Sequence, residues 1–125
     1  MEQSTLNETL EAIDAVIAKK KAAIKRGERL ARLMKNEDFI DVILDGYIET
    51  EARKLFTILT NPSGESPYSP EEIQLKLEAI SHFKGYVGTE DYLGTVMMEA
   101  KKAPLEIARE EDYRKQVTAD AEEEI

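Results

Sequence analysis

Residues 36–59, NEDFIDVILDGYIETEARKLFTIL, decide the fold. Asn36 is a good helix cap, and Glu37 and Asp38 place negative charge where a helix N-terminus favours it, so a helix opens here. Behind the cap, Phe39, Ile40, Ile43, Leu44, Tyr47, Ile48, Ala52, Leu55, Phe56 and Leu59 recur at helical spacing, while Asp41, Asp45, Glu49 and Arg53 line the opposite side. This is the expected core helix, over residues 37–60. Tyr47, Phe56 and Phe83 are expected in the core, where aromatic burial dominates a small domain. Gly46 costs about 1 kcal/mol relative to alanine inside a helix, which points to close approach by another helix. Pro62 closes the element, since proline cannot continue the hydrogen-bond ladder and disfavours helix at the residue before it.

Upstream, Leu6, Leu10, Ile13, Ile17 and Ile24 fall at spacings of three, four and seven, a heptad-like stripe on a helix over residues 5–34. A helix of about 30 residues runs ~45 Å, longer than the ~35 Å diameter of a compact chain this size. Either Gly27 bends it or one end protrudes, and a protruding apolar stripe makes a self-association surface.

Downstream, residues 61–69 form a loop too short to divide two cores. Ser69-Pro70-Glu71-Glu72 then restarts a helix over residues 70–87. Serine caps it, proline takes the first turn, and Glu72 is placed to complete a capping box. Ile73, Leu77, Ile80 and Phe83 or Val87 supply the inner face. Gly85 and Gly88 weaken the helix before Thr89, a second cap, and Leu93, Val96, Met97 and Ala100 support a fourth helix over 90–103, ending at Pro104. The alternative is one bent rod. Residues 106–125 hold three basic and eight acidic groups and little apolar content, as expected of an acidic, frayed tail. The predicted fold is all-α: a long N-terminal amphipathic helix packed on a three- to four-helix bundle or helical hairpin, with one domain over residues 1–105 and a tail over 106–125.

The 125 residues contain no cysteine, which excludes disulfides, thiolate metal sites and cysteine nucleophiles and fits a reducing compartment. No apolar run approaches the ~20 residues that span a bilayer, so a soluble protein without membrane association is expected. His82 is the single histidine, with no acid–base partner set by a motif and Ala79 where a Glu-x-x-His pair would need its carboxylate. It is expected at the edge of the core. The carboxylates fall on solvent-facing stripes, and no glycine loop suited to phosphate is present. No catalytic residue, cofactor or metal ligand is predicted, and an enzyme is not expected.

Charge is unevenly distributed under the net −9: residues 1–35 carry eight basic and five acidic groups, whereas residues 36–105 carry six and thirteen. Lys19, Lys20, Lys21, Lys25, Arg26, Arg29, Arg32 and Lys35 crowd one half of the first helix. They read either as a solubilising surface paired with the acidic second helix, or as a docking patch for nucleic acid or an acidic protein. The absence of interleaved aromatics and the acidic total disfavour sequence-specific nucleic-acid binding.

Leu33-Met34-Lys35-Asn36-Glu37-Asp38-Phe39, Val42-Ile43-Leu44-Asp45-Gly46-Tyr47, Glu51-Ala52 onward to Leu59, and Leu77-Glu78-Ala79-Ile80-Ser81-His82-Phe83 together resemble small helical proteins of tailed bacteriophages, typically encoded near head and DNA-packaging genes. The resemblance covers about residues 5–90. It is a pattern of helices and spacing that brings no active residues with it. It implies a non-enzymatic virion or assembly component that works by protein–protein contact with itself or other phage proteins, in the host cytoplasm and in the particle. Two other readings are an acidic regulatory protein that binds a host protein, and a small DNA-packaging factor that uses the basic half of the first helix.

Overall fold

The computed structural model describes residues 2–61, 66–88 and 91–124. Every element among them is helical: α1 (Gln3–Lys35), α2 (Glu37–Phe39) running into a π-helical segment (Ile40–Glu51), α3 (Ala52–Thr60), α4 (Pro70–Val87) and α5 (Tyr92–Glu123). The all-α class read from periodicity is the observed one. The expected stop at Pro62 and the cap at Thr89 lie outside the described residues. The chain divides into two compact units instead of one domain with a tail, one formed by residues 1–29 with 96–125 and the other by residues 30–95.

The first unit is an antiparallel hairpin of α1 and α5. Ile13 and Ile17 are buried with Val117, and Leu6, Leu10 and Ile107 pack around them. Farther along, Lys20 meets Glu106 and Gly27 meets Ala100, so the two helices run in opposite directions side by side. Gly27 does not interrupt α1, which is helical through it. A Cβ there would collide with that of Ala100, so the glycine is what permits the close approach.

Two expectations about the C-terminal part are corrected. Pro104 lies inside α5 and does not end it, and residues 106–123 are helical instead of frayed. Proline in a helix interior forfeits one hydrogen bond and costs about 3 kcal/mol. Burial of Ala103 and Val117 and the packing of Ile107 against α1 offset that cost. The low apolar content misleads because one face of a two-helix hairpin needs only a narrow stripe, here two or three side chains per four turns.

In the second unit, α3 and the π-helical segment pack on α4. Leu55, Ile73 and Ile80 form its buried centre, surrounded by Ala52, Ile58, Leu59 and Leu77. Its two caps form as the residue types require: Asn36 Oδ1 accepts from the Phe39 amide at 2.9 Å, and Ser69 Oγ accepts from the Glu72 amide at 3.2 Å. α4 ends at Val87, as expected, with Gly88 as its cap, and α5 starts separately at Tyr92.

The π-helical segment replaces the uniform α-helix expected over 37–60. Gly46 sits within it, and a Cβ there would stand 3.0 Å from the carbonyl oxygen of Asp41, five residues back. The wide turn, with bonds closing over five residues, brings that carbonyl under the Cα. Gly46 therefore serves its own helix turn and not an approach by another helix. The altered winding also rotates the apolar face: Ile48 and Leu55 are buried, but Phe56 is 58% exposed and Tyr47 38%. Neither is the core residue that α-helical spacing predicts, and Phe83 is only half-buried.

Candidate interaction surfaces

The described residues contain no group of three or more histidine, aspartate or glutamate side chains placed to hold a metal ion, and no helix long and apolar enough to cross a membrane. His82 is exposed and not at the edge of the core, because it lies on the side of α4 opposite Ile73 and Ile80. Among the described residues no polar side chain is buried.

The apolar stripe of α1 has a partner within its own chain. Leu6, Leu10, Ile13 and Ile17 pack against Ile107 and Val117 of α5, and Ile24 is half-buried farther along. The stripe does not protrude, because the C-terminal segment expected to fray is the helix that covers it.

The basic cluster stays largely open. Lys19, Lys21, Lys25, Arg26, Arg29, Arg32 and Lys35 are exposed and make no ion pair with described residues. Lys20 pairs with Glu106 of α5 at 2.7 Å, not with the acidic second helix. This hydrogen bond holds the Lys20 ammonium above its ordinary range and the Glu106 carboxyl below its own, with partial desolvation opposing both shifts. At the other end of the hairpin, Arg114 Nε donates to Asp14 Oδ1 at 2.9 Å, a bond that raises the guanidinium pKa. The second helix directs Glu49 instead toward Lys84 of α4, at 3.9 Å.

Antiparallel folding gathers the charges of the hairpin by sign. Residues 19–29 contribute six basic groups and one acidic group, and Lys101, Lys102 and Arg109 of α5 belong to the same half, with Glu99 and Glu106. Residues 2–18 contribute four acidic groups and no basic ones, and residues 110–124 contribute seven acidic and two basic. The hairpin has a basic half and an acidic half, a polarity that only the position of α5 reveals.

The second unit carries a row of four aromatic rings. Tyr47 of the π-helical segment meets Phe83 of α4 edge-on, with centroids 5.7 Å apart. Phe83 stacks on Tyr86 at 6.0 Å, and Tyr86 on Tyr92 at 5.6 Å with the planes 3° from parallel. Phe83 and Tyr86 share a face of α4 because they are three residues apart. Gly88 ends α4 in an extended conformation, and Tyr92 opens α5 beside Tyr86. Each such ring pair is worth about 0.5–1.5 kcal/mol beyond burial. Even so, Tyr47, Tyr86 and Tyr92 remain 38%, 38% and 48% exposed, and their hydroxyls bond to no described residue. Beyond the Phe83–Tyr86 spacing, which starts the row, the sequence carries no local signal that brings Tyr92 to Tyr86.

Comparison of the chain with protein-family models, with curated proteins and with solved structures finds no match. The likeness to small phage proteins rests on the residue pattern alone.

Proposed function

We propose that the protein is a non-enzymatic structural or assembly component of a tailed-bacteriophage head or packaging module, acting through protein–protein contacts presented by its helices. The aromatic row of the second unit carries this reading. Tyr86 and Tyr92, stacked in parallel, and Tyr47, set edge-on against Phe83, all partly exposed, have the composition of an interface centre: large aromatic area, a polar tip and side chains already restricted by ring contacts. The phage setting is supported by the resemblance of residues 5–90. In this reading the protein acts in the host cytoplasm, where heads are assembled.

Sedimentation with heads and procapsids of a phage that encodes this chain tests the reading. The wild-type protein is expected to pellet with the particles, and Tyr86→Ser/Tyr92→Ser to pellet at least tenfold less while keeping its helical circular dichroism. Wild-type protein left in the supernatant with both particle types would overturn the assembly role. The acidic surroundings of the row, twelve acidic and six basic groups over residues 30–95, support a second reading: a regulatory protein that docks on a basic face of a host protein. That reading requires capture of one host protein that weakens with salt and disappears with the same double substitution.

A further inference from the structure

We infer that the hairpin of α1 and α5 pairs with a second copy of itself about a two-fold axis, the basic outer strip of α5 in each copy seated on the acidic groove of the other.

The strip is Met98, Lys102, Leu105 and Arg109, spaced i, i+4, i+7 and i+11 along one side of α5. Met98 and Leu105 are 57% and 59% exposed. Lys101, Lys102 and Arg109 beside them form no ion pair with described residues. An exposed apolar pair two turns apart, flanked by exposed cations, is the pattern of a helix that lies in a groove with acidic edges.

The same hairpin provides such a groove. A shallow cleft of about 430 Å³ runs along the acidic half, with Ala12, Val16 and Tyr113 in its walls and Glu8 and Glu110 at its edges. Val16 and Tyr113 are exposed there, and neither glutamate forms an ion pair with described residues. Tyr113 continues the side of α5 that carries the strip, four residues beyond Arg109, so strip and groove are neighbours along one helix. A two-fold axis between them brings strip onto groove twice over. This is the condition for a closed, self-complementary interface.

Charge complementarity selects this occupant. The acidic half repels a polyanion, and a like-charged parallel arrangement of two copies is disfavoured, whereas the antiparallel pair places each basic half on an acidic one. The strip from Met98 to Arg109, eleven helical rises, spans only ~16 Å, so the dimer is small and its population depends on concentration. The apolar anchors supply affinity and the rim charges supply orientation, which makes association weaken as salt rises.

Two charge-reversed full-length variants test the pairing by sedimentation equilibrium over a concentration and salt series, with circular dichroism to verify folding. Lys101→Glu/Lys102→Glu/Arg109→Glu reverses the strip, and Glu8→Lys/Glu110→Lys reverses the groove edges. Each variant alone is expected to dimerise at least tenfold more weakly than wild type. An equimolar mixture is expected to regain association, because the mixed pair has opposite charges at both contacts. Because Glu110 is partly covered, Glu8→Lys alone serves where the double change unfolds the hairpin, with the same direction expected. A wild-type protein that stays monomeric, variants that dimerise like wild type, or a mixture that stays monomeric would each overturn the inference. Retention of the monomer on duplex DNA that disappears with the strip variant would assign the strip to nucleic acid instead. The aromatic row lies in the other unit, so failure here is distinguishable from failure of the head-binding test.

Discussion

The two units of this chain solve the same problem, burying apolar surface with helices, in different ways. The hairpin spreads its burial thinly along two long helices, with a glycine–alanine crossing and two ion pairs across the seam. The second unit concentrates burial in Leu55, Ile73 and Ile80 and leaves larger aromatic residues on its surface. Distributed burial tolerates an interior proline and a mostly polar sequence, because no single position carries much. Concentrated burial makes a few positions decisive and frees other apolar residues for contact with partners.

The largest effect should therefore fall in the second unit. Ile73 is the most completely buried large side chain, at 2% exposure, and belongs to the cluster with Leu55 and Ile80. Ile73→Ala removes its packing and leaves a cavity, at a cost of about 2–5 kcal/mol. Hydrogen exchange is expected to accelerate first at the amides of α3 and α4. An equal acceleration in α1 and α5 would show that the units unfold together, and would break the comparison.

A smaller loss is expected at the crossing in the hairpin. Gly27→Val puts a branched side chain where even a single carbon collides with Ala100, and overpacking of this kind costs about 1–3 kcal/mol. The helices must separate there, so exchange should rise in α1 and α5. Gly27→Val/Ala100→Gly makes room on the opposite helix and should recover part of the loss. A stability unchanged by Gly27→Val, measured by urea unfolding, would mean that α1 and α5 do not meet at this point.

These contrasts also explain what the sequence could and could not convey. Asn36 and Ser69-Pro70-Glu71-Glu72 announce helix starts by local chemistry, and the structure places both starts where that chemistry does. Ile73 and Ile80 were legible as core because a concentrated cluster leaves a strong periodic signal. Residues 106–123 were not, since Ile107 and Val117, ten positions apart, acquire meaning only when α1 lies alongside. α-Periodicity puts Tyr47 and Phe56 on the inner side, but the segment Ile40–Glu51 is wound as a π-helix, and both are exposed. The polarity of the hairpin was half visible: the basic run at residues 19–29 is plain in the sequence, but its acidic counterpart is assembled from two distant segments.

The smallest effect concerns the ion pair between Lys20 and Glu106, and its sign depends on pH. Glu106 has a folded pKa below its unfolded value of about 4.3, so its contribution is present above that value and is lost as pH falls through the folded pKa. Lys20 is shifted the other way: its contribution is complete below about 10.4 and is lost as pH rises through the folded value. The acid limb cannot be read from the wild-type protein alone, because protonating the crowded carboxylates of the acidic half relieves repulsion while Glu106 loses its partner. Comparison with Glu106→Gln separates the two: the repulsion within the acidic half remains in both proteins, and what is missing is the Glu106 charge, with its bond to Lys20 and its weaker attraction to Lys102 and Arg109. The difference in thermal midpoint between wild type and Glu106→Gln is expected to be positive at neutral pH, to shrink below about pH 4 and to fall further in high salt. A difference that stays constant down to acid pH would mean that the charge of Glu106 is not what stabilises the hairpin at this position.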